Sequence, residues 1–209
     1  MLWAGRRTAP SPSGAQADKL DNVTVYLLLY HEAAVANLLE ICLFHSSALE
    51  AIDEDHLIEL VDWCYRKLVY LNNKGHDDKK FEKMDAKKML AMTPIDELEE
   101  KDRELRFGTA MCALTILRYI TDNPKALPLG IVSRMLSTHD LPVALVALLD
   151  NPPWERYKDR ILERFQDNRW QEATGADRVT VSQNAAQAWL ALNNLTVDER
   201  FRSRYEWDG

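Results

Sequence analysis

The chain has 209 residues, of which 46% are hydrophobic and 28% charged, a composition typical of a globular protein with a core of its own. Its formal net charge of -7 argues against a general nucleic-acid binder or a protein that binds acidic membranes, because either function needs a basic surface. No stretch reaches the roughly 20 uninterrupted apolar residues that cross a bilayer.

The first 20 residues differ in composition from the rest of the chain. They are rich in proline, serine, glycine and alanine, and they contain no acidic residue before Asp18. They lack the apolar region of a secretory signal, and Pro10 and Pro12 interrupt any amphipathic presequence helix. We therefore expect residues 1–20 to form a disordered tail, followed by a single α-helical repeat-like domain over residues 21–207.

Two long helices are predicted in the first part of that domain. From Asp21 to about His45, apolar residues follow helical spacing and leave little polar face, which indicates a helix covered on several sides. Asp53 or Asp55 can cap the next helix, which runs to about Asn73. The apolar stripe of this second helix comprises Leu57, Leu60, Val61, Cys64, Leu68 and Leu71.

A charged segment separates these helices from a third one. In residues 75–92 lysines are interleaved with acids, which favours a solvated linker over a lysine-rich recognition strip. Thr93-Pro94 with Asp96 then has the pattern of an N-cap, a proline at the first helical position and an acid in the first turn. The helix that begins there is nearly all apolar over residues 107–120, so we expect its second half to be central to the core.

The remaining chain is predicted to form shorter helices. Residues 129–136 form a short helix, residues 137–140 form a polar corner, and Asp140 can cap the apolar helix that follows. Residues 154–169 mix aromatic and charged residues irregularly and receive no assignment. A last helix pair is predicted at about residues 180–195 and 197–205. Because no strand alternation persists, the predicted fold class is all-α, an armadillo/HEAT-like stacked helical repeat.

No catalytic, cofactor or metal site is predicted from sequence motifs. The zinc motif H-E-x-x-H begins at His31 but lacks its second histidine, and no P-loop, G-x-S-x-G or G-x-G-x-x-G is present. The odd number of cysteines argues against a disulfide framework, so we expect Cys42, Cys64 and Cys112 to be buried reduced thiols. The chain is therefore not expected to be an enzyme.

Two stretches resemble helices of armadillo repeats and supply candidate partner-binding residues. In THDLPVALVALLDN a polar corner with His139 and Asp140 precedes the L-V-x-L-L pattern. In AAQAWLALNNLT, Asn194 has the place of the asparagine that pairs with an extended ligand in peptide-binding armadillo proteins, and Trp189 is its aromatic neighbour. Trp189 precedes Asn194 by five residues rather than four, which turns it about 140° around the helix. The alternative places Trp189 in the core and uses Asn194 for local backbone bonds.

Six stretches together resemble one family. They are YHEAAVANLLEICLFH, LIELVDWCYRKLVYL, ALTILRYITD, SRMLSTHDLPVALVALLDNPPW, FQDNRWQ and AWLALNNL. In this order they resemble the central helical region of MYND zinc-finger proteins that act as cytoplasmic assembly factors for axonemal dynein arms. The resemblance covers about residues 23–205, and residues 75–92 depart from it in length and composition.

The resemblance implies a non-catalytic scaffold for dynein arms and motile cilia. Its implied partners are dynein intermediate and heavy chains, Hsp90, an immunophilin co-chaperone and a leucine-rich-repeat assembly factor, in the cytoplasm, at centriolar satellites or at the ciliary base. The family's C-terminal zinc finger is absent from the sequence, so zinc is expected only in that missing finger. We expect the chain to be a fragment, a short isoform or an incomplete gene model. The alternative function is a generic armadillo-like adaptor that binds an extended peptide near Asn194.

Overall fold

The structure is a computed structural model, and it describes residues 14–74, 93–158 and 160–205. The predicted linker over residues 75–92 and the first 13 residues of the predicted tail lie outside this part of the chain. Residues 14–20 of the predicted tail are helical, because the first helix begins at Gly14.

Helices account for most of the described chain. The long ones are α1 (Gly14–Leu43), α3 (Glu54–Lys74) and α4 (Pro94–Thr121), and the short α2 (Ser46–Glu50) lies between the first two. Farther along the chain are α5 (Leu129–Ser133), which continues into a π turn (Arg134–Thr138), then α6 (Leu141–Asp150), α7 (Gln183–Val197) and α8 (Glu199–Arg202). Short 3-10 turns lie at Pro124–Ala126 and Gly175–Arg178.

The predicted caps begin α3 and α4. Asp53 Oδ1 accepts a hydrogen bond from the backbone N–H of His56 at 3.1 Å, which satisfies a free donor at the start of α3. Thr93 and Asp96 form a reciprocal capping box, in which the backbone N–H of each donates to the side chain of the other at 2.9 and 3.2 Å. The stripe predicted for α3 is also confirmed, since its members are buried except for the half-buried Leu60.

The helix α4 lies at the centre of the core and packs against α1, α3 and α7. Its second half is apolar because it is covered on several sides, as the sequence predicted for residues 107–120. The largest fully buried side chains include Phe107, Leu114, Leu117, Ile120, Trp154 and Phe201. In a stacked repeat each unit contacts only its neighbours. The described fold is mostly helical. Because α4 contacts three other helices at once, its packing does not establish an armadillo/HEAT-like stack.

A small antiparallel sheet shows that the all-α prediction was wrong for residues 155–172. Its strands are β1 (Glu155–Lys158), β2 (Ile161–Gln166) and β3 (Arg169–Glu172), hydrogen-bonded in the order β1-β2-β3. The two-residue turn between β2 and β3 consists of Asp167 and Asn168, with φ of 50° and 57°. Two left-handed residues match the twist of a tight hairpin, and Asp and Asn adopt this conformation more readily than most residues.

Ion pairs lie on both faces of the sheet, so its strands lack the alternation of apolar and polar residues by which a strand is predicted from sequence. Arg156 pairs with Glu163 at 2.6 Å, and Arg164 lies 3.0 Å from Glu155 on the opposite face. Glu163 and Arg164 are both buried, although charged side chains at adjacent positions predict exposure. The expected pattern of one apolar and one polar face is therefore absent from β2.

An aromatic cluster attaches the sheet to α4. The ring of Phe107 lies edge-on to Phe165, with ring centroids 4.7 Å apart, and it stacks on Trp170 at 5.9 Å. The Arg156 guanidinium lies over the Trp170 ring, 4.1 Å from its centroid. Such contacts add to the area that the aromatic rings bury, so the hairpin is part of the core and not an appended loop.

The cysteine prediction is correct for Cys64 and wrong for Cys42. Cys64 is buried within α3, Cys112 is half-buried, and Cys42 is exposed on α1. The dense apolar pattern of α1 suggested cover on several sides, and the described residues leave its outer side exposed.

Candidate interaction surface

The two predicted residues of the polar corner, His139 and Asp140, contact different parts of the chain. His139 places Nε2 2.6 Å from Asp62 Oδ1, and its ring stacks on Tyr65 with centroids 4.1 Å apart. Asp140 adopts a left-handed conformation with φ of 45°, and its carboxylate accepts a hydrogen bond from the Tyr205 hydroxyl at 2.6 Å. Asp140 precedes α6, but its side chain makes no capping bond, so the predicted side-chain cap is wrong.

Asp62 joins α3 to the π turn and to the residue that follows it through Arg134 and His139. The guanidinium of Arg134 donates to both carboxylate oxygens, at 2.8 and 2.6 Å, in addition to the contact from His139. These hydrogen bonds from Arg134 hold the pKa of Asp62 well below its usual range, and they raise the pKa of Arg134. Because Asp62 is engaged on both oxygens, it serves as a fixed link between elements and not as a proton acceptor for chemistry.

The other two predicted residues, Asn194 and Trp189, also differ in their surroundings. The Asn194 amide donates to Asp122 Oδ1 at 2.7 Å and to Thr121 Oγ1 at 3.3 Å, at the end of α4. Trp189 is 56% exposed on the same helix, so the alternative that placed it in the core is wrong. The Asn194 amide, which a ligand backbone would need, therefore already donates hydrogen bonds to side chains of this chain.

An open cleft of about 600 Å³ lies between the end of α1, the loop after α2 and the outer side of α3. Its lining residues are Leu39, Ala51, Ile52, Asp53, His56, Glu59, Leu60, Trp63 and Arg66. The floor consists of half-buried apolar side chains, and the rim carries charges of both signs. The sequence alone does not predict this cleft, because the packing of three separate elements creates it. The one available signal was Leu60, at the edge of the α3 stripe.

A polar network holds the side of the cleft formed by Trp63. Glu32 on α1 accepts hydrogen bonds from Trp63 Nε1 at 2.9 Å and from Lys67 Nζ at 2.6 Å. The Lys67 ammonium lies 5.6 Å from the centroid of the Trp63 ring. Partial burial acts to raise the pKa of Glu32, but the hydrogen bonds from Lys67 and Trp63 outweigh it and lower this pKa. The indole is thereby fixed in one orientation.

The described residues do not fit a zinc-finger ligand set. Within residues 14–74, 93–158 and 160–205, no three His, Cys, Asp or Glu side chains are placed to hold a metal ion. Burial raises the pKa of the Cys64 thiol, and the Cys112 thiol donates to Asn37 Oδ1 at 3.1 Å. A thiol must lose its proton to bind zinc, so a raised pKa opposes metal binding.

None of the described helices is, on its own, long and apolar enough to cross a membrane. The segments Leu129–Thr138 and Leu141–Asp150 meet that criterion of length and composition only as a pair, and they are bent by 51° relative to each other.

Comparison with known proteins identifies a curated relative. No family model matches the chain, and no solved structure matches it. The chain is similar to the zinc finger MYND domain-containing protein 10 homolog of Drosophila melanogaster, with 29% identity over 188 residues. The aligned region covers 88% of this chain and 40% of that relative, so the chain spans less than half the length of the curated relative that it matches. This similarity confirms the resemblance to MYND zinc-finger proteins that the six sequence stretches predict.

Proposed function

We propose that this chain is a non-catalytic interaction scaffold in the cytoplasmic assembly of axonemal dynein arms. The observation that carries the proposal is the similarity, over 88% of the chain, to a zinc finger MYND domain-containing protein 10 homolog. The proposed partners are dynein intermediate and heavy chains, Hsp90, an immunophilin co-chaperone and a leucine-rich-repeat assembly factor. The scaffold is proposed to use no cofactor of its own, with zinc confined to a finger outside this sequence.

The proposed contact surface is the cleft between α1 and α3. Its volume of about 600 Å³ suits the insertion of apolar side chains from a protein partner, and its half-buried floor residues Leu39, Ile52 and Leu60 would gain from being covered. The mixed charges of Glu59 and Arg66 at the rim would orient the partner.

The titratable pair in the cleft has a structural explanation that needs no catalysis. Asp53 lies 2.7 Å from the His56 ring, and hydrogen bonds from the His56 backbone and side chain lower the pKa of Asp53. The backbone bond is the N-cap of α3, and both side chains are largely exposed. A catalytic carboxylate is more often poised by burial than engaged as a cap. The pair therefore supports a binding surface better than an active site.

The alternative proposal, a generic armadillo-like adaptor, is supported by less of the structure. It requires the Asn194 amide to bind an extended peptide, and that amide already donates to Asp122 and Thr121. An armadillo/HEAT-like stack of helices remains a proposal that rests on the polar corner and on Pro142 in the first turn of α6. No contact of the described residues favours a peptide groove over the α1–α3 cleft.

Affinity purification from ciliated cells tests the scaffold proposal. The tagged chain is expected to retain dynein intermediate or heavy chains together with Hsp90, as measured by quantitative mass spectrometry. Leu60→Arg places a charge on the cleft floor, and Glu59→Arg reverses an exposed charge at its rim. We expect each variant to reduce dynein recovery, Leu60→Arg by about tenfold, which corresponds to about 1.4 kcal/mol of binding free energy. Leu190→Arg, at an exposed apolar site on α7, is the matched control and should leave recovery unchanged.

Circular dichroism establishes first that each variant is folded. Normal dynein recovery by folded Leu60→Arg and Glu59→Arg would remove the cleft as the contact surface. Failure of the unaltered chain to recover any of the proposed partners would overturn the scaffold proposal itself.

A further inference from the structure

The outer side of α1 carries a strip of exposed apolar residues, directly opposite the side that packs into the core. We call it the α1 strip, and its residues are Leu27, Tyr30, Ala34, Leu38 and Ile41. Leu27, Leu38 and Ile41 are each more than 60% exposed, while Ala36 and Leu43 on the inner side are at most 2% exposed. The strip extends about 21 Å along the helix. Such a contiguous apolar patch typically marks an interaction site.

The charges around the α1 strip favour a neutral occupant. Residues 22–52 contain no lysine or arginine, and the acids nearest to the strip are Glu32 and Glu40. Glu32 is neutralised by Lys67, and Glu40 is half-buried. A partner that recognised this face through charge would find no opposite charge on it. An apolar, uncharged surface of similar width matches it better.

The spacing of the α1 strip is symmetric about Ala34. Its residues are separated by three, four, four and three positions, so two antiparallel copies would place Leu27 opposite Ile41 and Tyr30 opposite Leu38. Ala34 would face its own copy at the crossing point, where a small side chain allows the helix axes to approach closely. Large side chains on either side would then fill the space between the helices. A surface that is complementary to itself under a two-fold rotation is what a symmetric dimer requires.

We propose that a second copy of this chain covers the α1 strip, through an antiparallel α1–α1 contact on a two-fold axis at Ala34. Two helix faces of this length bury on the order of 1,000 Å² in total, which is near the lower limit for a specific interface. The dimer is therefore reversible and depends on concentration. This inference is independent of the proposed role in dynein assembly and of the cleft.

Sedimentation velocity of the whole chain over a wide range of concentration tests the dimer. The mass should rise from the 24.1 kDa of the monomer towards twice that value. Leu38→Glu, which places a charge in the strip, should weaken the association at least about tenfold, because its carboxylate would lose water against Tyr30 of the other copy without a cationic partner. Val143→Glu, at a similarly exposed site on α6, should dimerise like the unaltered chain. A monomer at every concentration, or a Leu38→Glu chain that dimerises normally, would overturn the proposal.

Disulfide trapping tests the antiparallel register in a chain carrying Cys42→Ser. Ala34→Cys should form a covalent dimer with itself on mild oxidation, because the two Cα atoms lie within disulfide reach at the crossing. Leu27→Cys and Ile41→Cys should each trap poorly alone and efficiently when mixed. Efficient self-trapping of Leu27→Cys would indicate a parallel pair and would contradict the register. Slow reaction of the monomeric Ala34→Cys variant with a thiol reagent would show that another segment of the chain covers the strip, and this too would overturn the dimer.

Discussion

At the scale of single residues, Asp62 determines how the polar corner is attached to α3. It accepts two hydrogen bonds from Arg134 and one contact from His139, and its side chain is only 15% exposed. Removing its charge would leave two partly buried donors without an ionic acceptor, which costs more than the loss of an exposed pair. The ring stack between His139 and Tyr65 would lose its anchor at the same time.

Asp62→Asn is expected to lower the free energy of unfolding at pH 7 by about 1–3 kcal/mol. The pKa of Asp62 is lower in the folded chain than in the unfolded one, so its carboxylate stabilises the fold above the unfolded pKa of about 4. This contribution is lost as the pH falls further, towards the folded pKa. The difference between the two chains should therefore shrink below about pH 4, as measured by urea unfolding at several pH values.

Asp150→Asn provides the control for that comparison, since Asp150 is exposed at the end of α6. Its unfolding free energy should stay within about 0.5 kcal/mol of the unaltered chain. A constant difference between Asp62→Asn and the unaltered chain from pH 7 to pH 3 would show that the Asp62 charge does not stabilise the fold.

At the scale of elements, the β2–β3 hairpin depends on the conformation of its two turn residues. Asn168 has φ of 57°. Its side chain lies beside Gly108 of α4, since a Cβ added to Gly108 would be 3.5 Å from Asn168 Oδ1. A β-branched side chain is strained in the left-handed region, whereas glycine is not.

Asn168→Val is expected to destabilise the chain by about 1–2 kcal/mol, and Asn168→Gly should be close to neutral. Thermal unfolding of both variants, with near-ultraviolet circular dichroism to report on the aromatic cluster at Trp170, measures this difference. Equal stability of the two variants would mean that the turn does not require left-handed residues.

Local signals in the sequence predict the helices well and the hairpin poorly. The caps at Asp53 and Thr93 act within four residues, so they can be recognised without knowledge of the fold. The hairpin places Glu163 and Arg164 in buried ion pairs with strand partners, and that pairing is visible only after the strands meet. Its one local signal was the Asp167-Asn168 pair, which is typical of a tight hairpin turn.

The candidate site was less predictable than the fold. The cleft needs α1, α2 and α3 to be packed together, and none of the four predicted residues lines it. Asn194 and His139 were predicted to bind a partner, and in the structure both make side-chain contacts within the chain. Their partners, Asp122 and Asp62, are more than 70 positions away in the sequence, so the direction of each side chain could not be inferred from local spacing.

At the scale of the whole molecule, α4 contacts elements from both ends of the described chain. It contacts α1, α3 and α7, and Phe107 joins it to the sheet. The segment 107–120 cannot be exposed to solvent unless several of these contacts are broken at once. Regions that open only by global unfolding show the strongest protection from hydrogen exchange.

Backbone amides in residues 107–120 are therefore expected to exchange most slowly in the described chain. Hydrogen-exchange mass spectrometry should give them protection close to the global free energy of unfolding, while the hairpin over 155–172 exchanges faster. Added urea should reduce protection of the α4 segment with the same slope as global unfolding. Slower exchange in the hairpin than in α4 would contradict the central position of α4.

The π turn at Arg134–Thr138 has a consequence for how related sequences should be aligned. The His139 N–H donates to the Arg134 carbonyl, five residues back rather than four, at 3.1 Å. Deleting one residue here would restore α-helical bonding and rotate each later side chain by about 100°. His139 would then point away from Asp62. A one-residue gap between positions 133 and 140 in a homologue would therefore mark a lineage in which this link is lost, even if every linking residue type were retained.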